Sequence, residues 1–452
     1  MWRARHLTLV LRAGEAPAHV PSYLDQLVGA ARPVSAIDRG AVDLALRTGG
    51  GFRALCGYGS RASLNRAGEQ HLRWDDTEQE FGFPRTYQVE IAEADAADKV
   101  VDRLRALRTV ESAAVQTIAA APFDAAVAAA PDERTLADAA WAPHERVRAV
   151  QAHELEPGDE RVTVGLVDTG VSLGHPEFQR KLLAGYDTVD LGVDEASGLH
   201  LVGDSRGDDF TPTDYVGHGS HVAGIVGASG WHLPPGVGGR SLLLPIRVLA
   251  AALGRGGGRA AGVGAESNIN AGFKVAVDLG ALVLNLSFGT SEHDVDPAGP
   301  KPQEAVVRYA VRNGCTLVAA SGNSGVAERF YPAALPEVIA VGSAGDDGRR
   351  SSFSSSGDHV ALCAPGERIV SAGLSGVREG NGTSYAAPFV TGAAALVVAR
   401  ARRHGRVLTP AEVRATLLGS AEPLAGSPVN ETGAGLLNVE AAVRRVDAEA
   451  AA

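Results

Sequence analysis

Cysteine is scarce in this chain of 452 residues. The three cysteines, Cys56, Cys315 and Cys363, are far apart and odd in number, and none belongs to a CxxC pair or a Cys/His cluster. This spacing therefore indicates neither a zinc site nor a disulfide framework. Because unpaired thiols are typical of a reducing compartment, we predict a cytoplasmic protein with three reduced cysteines.

An excess of basic charge and long apolar runs are also missing. Acidic residues outnumber basic ones by 53 to 42, which gives a formal net charge of -11 and argues against nucleic acid as a partner. The apolar run Leu7–Leu11 is too short for the core of a signal peptide and is followed by Arg12. No uncharged apolar stretch reaches the roughly 18 residues of a membrane span. We therefore predict no secretory signal and no membrane partner.

Residues 1–120 are predicted to form a small α+β domain. Strand patterns occur at Leu7–Leu11, Val42–Leu46, Tyr87–Ile91 and Ser112–Ile118, and helical patterns at Pro21–Leu27 and Ala94–Leu107. Two β-α-β units side by side are typical of a ferredoxin-like sandwich, in which residues 48–84 would be a polar, glycine-rich insertion. The Ala/Pro-rich stretch of residues 121–140 is predicted to be a linker.

From Trp141 onward the chain changes character. Short apolar runs alternate with helical patterns, at Val162–Val167, Leu242–Val248, Leu282–Leu286, Thr316–Ala320 and Val338–Val341. This alternation predicts an α/β domain over residues 141–443, with a mostly parallel sheet buried between helices. Thr409 and Glu412 form a capping box that predicts a helix start. Residues 444–452 are expected to be a frayed tail.

Asp168 and His218 are two candidates for acyl-transfer chemistry. Asp168 ends an apolar strand and is followed by a glycine turn, although a turn or cap aspartate would look the same. His218 lies between two glycines at the start of a small-residue helix. His221 follows three residues later and is interpreted as a structural histidine, because no third metal ligand is nearby.

Ser384 and Asn323 are two further candidates. Ser384 follows glycine and threonine at the start of a long apolar helix, where free N–H groups and the helix dipole favour an anion. An ordinary capping serine is the alternative. Asn323 follows another apolar strand and could donate its amide to an oxyanion, or could be a turn asparagine beside glycine.

Together these motifs resemble the subtilisin family of serine peptidases. The blocks VDTGV, GHGSHVAGI, AASGNSG and GTSYAAPFVTGAAAL occur in the order Asp, His, Asn, Ser. The resemblance covers roughly Trp141 to Val443 and implies a three-layer fold with a mostly parallel sheet between helices. It also implies a catalytic triad of Asp168, His218 and Ser384, with Asn323 in the oxyanion hole.

The resemblance further implies the substrate-binding residues. The matching segments are Ser287, Phe288 and Gly289, and Ala319, Ala320, Ser321 and Gly322. Residues Arg255 to Gly258 match the edge that pairs with an extended peptide substrate. Phe330 stands where relatives commonly have glycine at the base of the first specificity pocket. The ring either fills that pocket, which would favour small side chains, or packs into the core beneath it.

Calcium is the only cofactor that the resemblance raises. Glu177 stands where relatives often place a ligating aspartate, and the loop Trp231 to Gly239 has no carboxylate or amide. We therefore predict that the family's tight calcium site is absent and expect no metal. The acidic insertion Asp190–Asp214 is interpreted as a solvated loop, with calcium binding as the alternative. Its acidic residues are Asp194, Glu195, Asp204, Asp208, Asp209 and Asp214.

The N-terminal domain has two readings. Its segment Tyr87 to Gln116 looks like the inhibitory prodomains of the family, which implies a serine endopeptidase made as a zymogen. Alternatively, the domain is a permanent recognition module of a dedicated maturation protease. A third reading, from another class, is a binding protein that keeps the fold without catalysis. The expected partners are a peptide or protein substrate and the chain's own N-terminal domain.

Overall fold

The computed structural model describes residues 5–14, 20–22, 32–61, 74–121, 139–192, 199–206, 209–254, 260–424 and 426–451. The predicted linker falls largely outside these ranges. The predicted helix Pro21–Leu27 does so as well, beyond its first two residues.

The N-terminal part is a four-stranded antiparallel sheet with two helices in a β-α-β-β-α-β order. The elements are β1 (His6–Leu11), α1 (Ala41–Leu46), β2 (Phe52–Cys56), α2 (Asp76–Glu80), β3 (Thr86–Ile91), α3 (Ala97–Arg105) and β4 (Val110–Val115). The strand order β2-β3-β1-β4 is that of a ferredoxin-like sandwich, and α2 is an addition between β2 and β3. Alternate residues Leu7, Leu9 and Leu11 of β1 point into the core.

The prediction that Val42–Leu46 is a strand is wrong, because this segment is the helix α1. The Asp38 carboxylate accepts hydrogen bonds from the backbone N–H groups of Gly40 (2.7 Å) and Val42 (3.0 Å). These bonds satisfy donors that the first helical turn leaves unpaired. A segment of five apolar-rich residues is too short for its period to distinguish the two structures.

Residues 48–84 are not simply an insertion. They contain β2, which pairs with β3 in the register Ala54 to Val89, and the capped helix α2. The predicted strand Ser112–Ile118 is two strands, β4 and β5 (Ile118–Ala120). Strand β4 belongs to the first sheet, whereas β5 pairs with β11 of the second domain. The chain passes from one sheet to the other at residues 116–117.

The second domain is built on a seven-stranded sheet in which every described pair of neighbours is parallel. Its order is β17-β16-β14-β12-β6-β9-β7. The strands are β6 (Thr163–Asp168), β7 (Tyr186–Asp187), β9 (Leu242–Arg247), β12 (Val283–Leu286), β14 (Thr316–Ala320), β16 (Ile339–Ala344) and β17 (Val360–Pro365). The five predicted strands are all present, which confirms the α/β prediction.

Helices cover both faces of this sheet. In chain order they are α4 (Trp141–Arg146), α5 (Ala149–Leu155), α6 (His218–Gly227), α7 (Glu266–Asp278), α8 (Glu304–Arg312), α9 (Thr383–Arg403), α10 (Pro410–Leu418), α11 (Val429–Thr432) and α12 (Val439–Ala451). The core around α6 and α9 lies on one face, and the core around α7 and α8 on the other. The predicted three-layer arrangement is therefore confirmed.

The short strands complete the fold at its edges. They are β8 (His200–Val202), β10 (Ala250–Leu253), β11 (Ala261–Ala265), β13 (Thr290–Ser291), β15 (Phe330–Tyr331), β18 (Ile369–Ala372) and β19 (Val377–Gly380). A further four-stranded sheet has the order β5-β11-β10-β8. Because β5 comes from the N-terminal region and the other three strands from the second domain, this sheet joins the two.

Helices α9, α10 and α12 lie in the C-terminal part of the chain. The predicted tail is wrong, since α12 continues to Ala451 and Val446 is fully buried in the core. The capping box of Thr409 and Glu412 is confirmed at the start of α10. Helix α9 is long and apolar enough to cross a membrane, but 89% of its most apolar window is buried inside the protein, as in a core helix.

Candidate active site

Asp168 and His218 meet at the carboxyl edge of the seven-stranded sheet. Asp168 is the last residue of β6, and His218 is the first residue of α6. His218 Nδ1 lies 2.7 Å from Asp168 Oδ1, and the two side chains are 5% and 0% exposed. A carboxylate in this position holds the proton on Nδ1, so Nε2 is the ring nitrogen that can act as a base.

A second buried carboxylate, Asp214, connects the segments that carry these two residues. Its oxygens accept hydrogen bonds from Thr169 Oγ1 (2.9 Å), Gly217 N (2.9 Å) and Ser220 Oγ (2.7 Å). Thr169 and Gly217 adjoin the aspartate and the histidine, so this carboxylate fixes their spacing. Burial raises the pKa of Asp214 in spite of these donors. The sequence had suggested Asp214 only as part of an acidic loop.

Ser384 lies in the first turn of α9 and is 2% exposed. Its Oγ donates a hydrogen bond to the backbone oxygen of Ser287 at 3.3 Å, and Ser287 Oγ donates to the backbone oxygen of Ser384 at 2.8 Å. The next residue, Tyr385, places its ring centroid 5.5 Å from that of His218. The start of α9 therefore adjoins the histidine.

Asn323 follows β14 and turns its amide group toward the start of α9. Its Oδ1 accepts hydrogen bonds from Thr383 N (2.9 Å) and Thr383 Oγ1 (2.8 Å), which leaves Nδ2 as the donor on the other side. A Cβ added to Gly382 would lie 3.2 Å from Asn323 Nδ2 and 3.7 Å from Ser384 N. The two N–H donors thus flank one small space, which glycine keeps open.

Comparison with known proteins bears on this arrangement. Residues 159–438 match the family model described as the subtilase family. The chain belongs to the subtilase family. The resemblance inferred from the motif order is thereby confirmed.

Individual relatives are moderately similar. The chain is 34% identical over 279 residues to the thermophilic serine proteinase of Bacillus sp. (strain AK1), covering 61% of this chain and 60% of that protein. It is 31% identical over 287 residues to thermitase of Thermoactinomyces vulgaris, covering 63% of this chain and 88% of thermitase. The solved structure of the prenylagaramide maturation protease PagA shares 26% identity with a TM-score of 0.52, covering 66% of this chain and 98% of that one.

A cavity lies beside Asn323 in this subtilase, and it contains only part of the predicted substrate-binding set. Gly289, Gly322 and Phe330 line it. The other predicted residues are fully buried beside it, and their role in substrate binding stays a prediction: they are Ser287, Phe288, Ala319, Ala320 and Ser321.

Phe330 lies across this cavity. A Cβ on Gly289 would be 2.5 Å from Phe330 Cε1, and a Cβ on Gly322 would be 3.3 Å from Phe330 Cγ. The ring therefore occupies the space between two glycine walls. The residue is only partly buried and lines the cavity, which favours the interpretation in which the ring lies in the pocket over the one in which it packs into the core.

The predicted substrate-pairing edge, residues 255–258, lies outside the described residues and stays a prediction. The described strand that follows it in the chain is β11. Strand β5 pairs with it antiparallel, and Ala121 N donates to Gly262 O at 3.0 Å. On its other side, Ala120 exchanges both backbone hydrogen bonds with Gly289 (3.2 and 3.1 Å). A piece of the chain's own N-terminal region thus lies in the position of a strand between the two walls.

The residues at the family's calcium position do not fit calcium. The Glu177 carboxylate accepts hydrogen bonds from the backbone N–H groups of Gly230 (3.1 Å), Trp231 (3.1 Å), His232 (2.5 Å) and Leu233 (2.9 Å). Calcium requires oxygen ligands, whereas this loop directs donors inward. Burial alone would raise the pKa of Glu177, but these donors lower it below its usual 4.5.

The acidic insertion provides no alternative in its described part. Asp194, Glu195 and Asp208 lie outside the described residues. Asp204 and Asp209 each accept a backbone N–H two residues further on. Within the described ranges, no group of three His, Cys, Asp or Glu side chains could hold a metal ion.

Proposed function

We propose that this chain is a serine endopeptidase that cleaves peptide bonds through an acyl-enzyme formed on Ser384. The observation that carries the proposal is the 2.7 Å contact between His218 and Asp168 beside the start of α9. Ser384 Oγ attacks the scissile carbonyl carbon while His218 Nε2 takes the hydroxyl proton. The imidazolium then protonates the leaving amine, and Asp168 stabilises that cation throughout. Water hydrolyses the ester by the reverse sequence.

The negative charge that develops on the carbonyl oxygen is stabilised by two donors. Asn323 Nδ2 and the backbone N–H of Ser384 flank the space beside Gly382. Asn323 shortly follows the end of strand β14, and Ser384 lies in the first turn of helix α9, so the backbone holds both donors in place. Fixed donors need no reorganisation when the charge forms. Loss of one such donor typically lowers turnover about 100- to 1,000-fold.

Peptide hydrolysis and labelling with a fluorophosphonate probe test this proposal. Ser384→Ala should abolish both while leaving the unfolding temperature unchanged, since no new space or charge is created in the core. Ser352→Ala, at an exposed serine, is the matched control and should behave as wild type. Asn323→Ala should retain labelling at a reduced rate. Undiminished hydrolysis by Ser384→Ala would refute the assignment, and absence of labelling in wild type would favour a non-catalytic binding protein.

The enzyme is proposed to be made as a zymogen. Strand β5 lies between β11 and Gly289, where an extended substrate would pair by strand addition. Its antiparallel pairing with Gly289 directs it toward Ser287, whose carbonyl is bonded to Ser384 Oγ. The N-terminal domain therefore blocks the cleft with its own strand, and a substrate must displace that strand.

The contact between the two domains is strong enough to outlast a cut in the linker. Lys274 of α7 bonds Glu78 of α2 (2.5 Å) and Asp278 (2.6 Å), and all three side chains are at most 2% exposed. Arg61 adds a hydrogen bond to the hydroxyl of Tyr309 at 2.7 Å. These contacts do not involve residues 121–140, so a cut there leaves them in place. Self-processed enzyme should therefore elute from gel filtration with its N-terminal domain still bound.

The rival reading, a maturation protease with a permanent recognition domain, draws on the similarity to PagA. N-terminal sequencing of active enzyme separates the two. Shortening within residues 121–140, absent in Ser384→Ala, supports the zymogen. A fully active enzyme that keeps its original N-terminus supports the recognition domain.

The proposed substrates carry a small residue before the scissile bond. Phe330 lines the cavity and approaches both Gly289 and Gly322, so a large side chain there would meet the ring. Cellular location is proposed to be the cytoplasm. All three cysteines are buried free thiols, which suits a reducing compartment, and fractionation of the source cells tests this.

A further inference from the structure

Tyr385 packs against two histidines at the candidate site. Its ring centroid lies 5.5 Å from that of His218, with the planes tilted by 39°, and 4.2 Å from that of His221, with a tilt of 37°. The tyrosine is fully buried and directly follows the nucleophile Ser384 in the chain. The ring therefore limits the movement of the His218 imidazole.

Arg378 is held at the end of the same tyrosine. Its Nη2 donates a hydrogen bond to the Tyr385 hydroxyl at 3.1 Å. Its Nη1 lies 3.1 Å from the point that a Cβ on Gly217 would occupy, and Gly217 directly precedes His218. The guanidinium thus lies against the backbone that leads into the histidine, and Arg378 itself is in β19 near the turn of the β18–β19 hairpin.

The charges around His218 come from four elements. Asp168 of β6 and Asp214, which precedes α6, are carboxylates that favour a protonated imidazole. His221 of α6 adds little charge, because burial, followed by the Arg378 and His218 charges, lowers its pKa well below the usual value. Arg378 of β19 opposes the two carboxylates, since a nearby cation disfavours imidazolium.

We propose that Tyr385 is a positioning residue that holds the Arg378 guanidinium beside His218, so that this fixed cation keeps the imidazole neutral and ready to accept a proton. The inference rests on the proposed function, in which His218 is the base. A nearby unit charge typically shifts the titration of a buried group by about one pH unit or more. Deleting the cation should shift the His218 midpoint upward, because protonation is no longer opposed.

Histidine-labelled NMR titration of the full-length chain measures this midpoint without requiring an open cleft. Ser384→Ala serves as the background to prevent self-cleavage, and loss of one signal in His218→Gln assigns the resonance. Arg378→Gln should raise the midpoint by about one pH unit, whereas Arg378→Lys, which keeps the charge, should move it much less. Tyr385→Phe keeps the ring but removes the hydroxyl anchor, so a smaller upward shift is expected.

An unchanged midpoint in Arg378→Gln overturns the proposal. If that variant fails to fold, an unchanged midpoint in Tyr385→Phe overturns it instead. Labelling and titration together distinguish failure of this inference from failure of the proposed function. Normal fluorophosphonate labelling of wild type together with an unchanged titration refutes only the role of Arg378 and Tyr385. A shifted titration without any labelling or hydrolysis refutes only the peptidase assignment. In active enzyme, the acidic limb of kcat/KM should move in the same direction as the NMR midpoint.

Discussion

Replacing Glu177 with glutamine removes one charge and exchanges one acceptor oxygen for an NH2 group. In the wild type, Oε2 accepts the backbone N–H groups of Gly230 and Trp231, and Oε1 accepts those of His232 and Leu233. Glutamine can serve only one of these pairs. Its NH2 group would face the other pair, donor against donor, in a site where Glu177 is 1% exposed.

The expected loss follows from this count of hydrogen bonds. At least two of the four backbone donors lose their acceptor, and each unsatisfied buried donor costs about 1–3 kcal/mol. The predicted destabilisation is therefore about 2–6 kcal/mol at pH 7. The loop from residue 229 to residue 233 follows the C-terminal end of helix α6, so the loss should be felt first at that end.

The pH dependence gives the prediction its sign. Because the donors lower the pKa of Glu177 in the folded state, its contribution is fully present above the unfolded value near 4.5. That contribution is lost as the pH falls through the lower folded pKa. The difference between wild type and Glu177→Gln should thus be largest near neutral pH and should shrink below pH 4.5.

Calorimetric unfolding of the Ser384→Ala background measures the effect without autolysis. Glu337→Gln, at an exposed glutamate, is the matched control and should unfold at the wild-type temperature. An unfolding temperature of Glu177→Gln equal to that of Glu337→Gln at pH 7 would contradict the reasoning. It would mean that the N–H groups around the carboxylate are satisfied by water or by a rearranged loop.

The remaining predictions concern metal, specificity and processing. A chelator should shift the unfolding temperature little, because donors surround Glu177; a fall of more than about ten degrees, reversed by calcium, would contradict this. In a peptide library, wild type should prefer Ala, Gly or Ser before the scissile bond, and Phe330→Gly should admit Leu and Phe; a wild-type preference for Phe, Tyr or Leu would rule out the filled pocket. Self-shortening within residues 121–140 should occur in wild type and not in Ser384→Ala, as mass spectrometry can determine.

The candidate nucleophile, base and oxyanion donor were identifiable from motif order. Asp168, Ser287 and Asn323 each follow a buried strand, and adjacent parallel strands bring such residues to one edge. Short apolar runs also predicted the strands of the sheet correctly, because a strand that is buried on both faces needs a nearly continuous apolar sequence.

Other features depended on contacts between distant segments. The five-residue segment Val42–Leu46 became a helix through the cap supplied by Asp38. The pairing of β11 with β5 joins segments more than 100 residues apart, and its register could not be read from the chain, whereas the predicted edge at residues 255–258 lies outside the described residues. Glycine-rich stretches carry little side-chain information about register.

The alternation of apolar runs and the spaced Asp, His, Asn and Ser motifs were sufficient for the α/β class and the family, since both are local properties of the chain. The roles of Asp214, Glu177, Tyr385 and Arg378 were not local. In the sequence, a glutamate that binds backbone N–H groups cannot be distinguished from one that binds calcium. Arg378 and His218 are near each other in space but 160 residues apart along the chain. Contacts of this kind form when the chain packs. A buried polar group without a hydrogen-bond partner costs free energy, so the folded structure pairs such groups with each other.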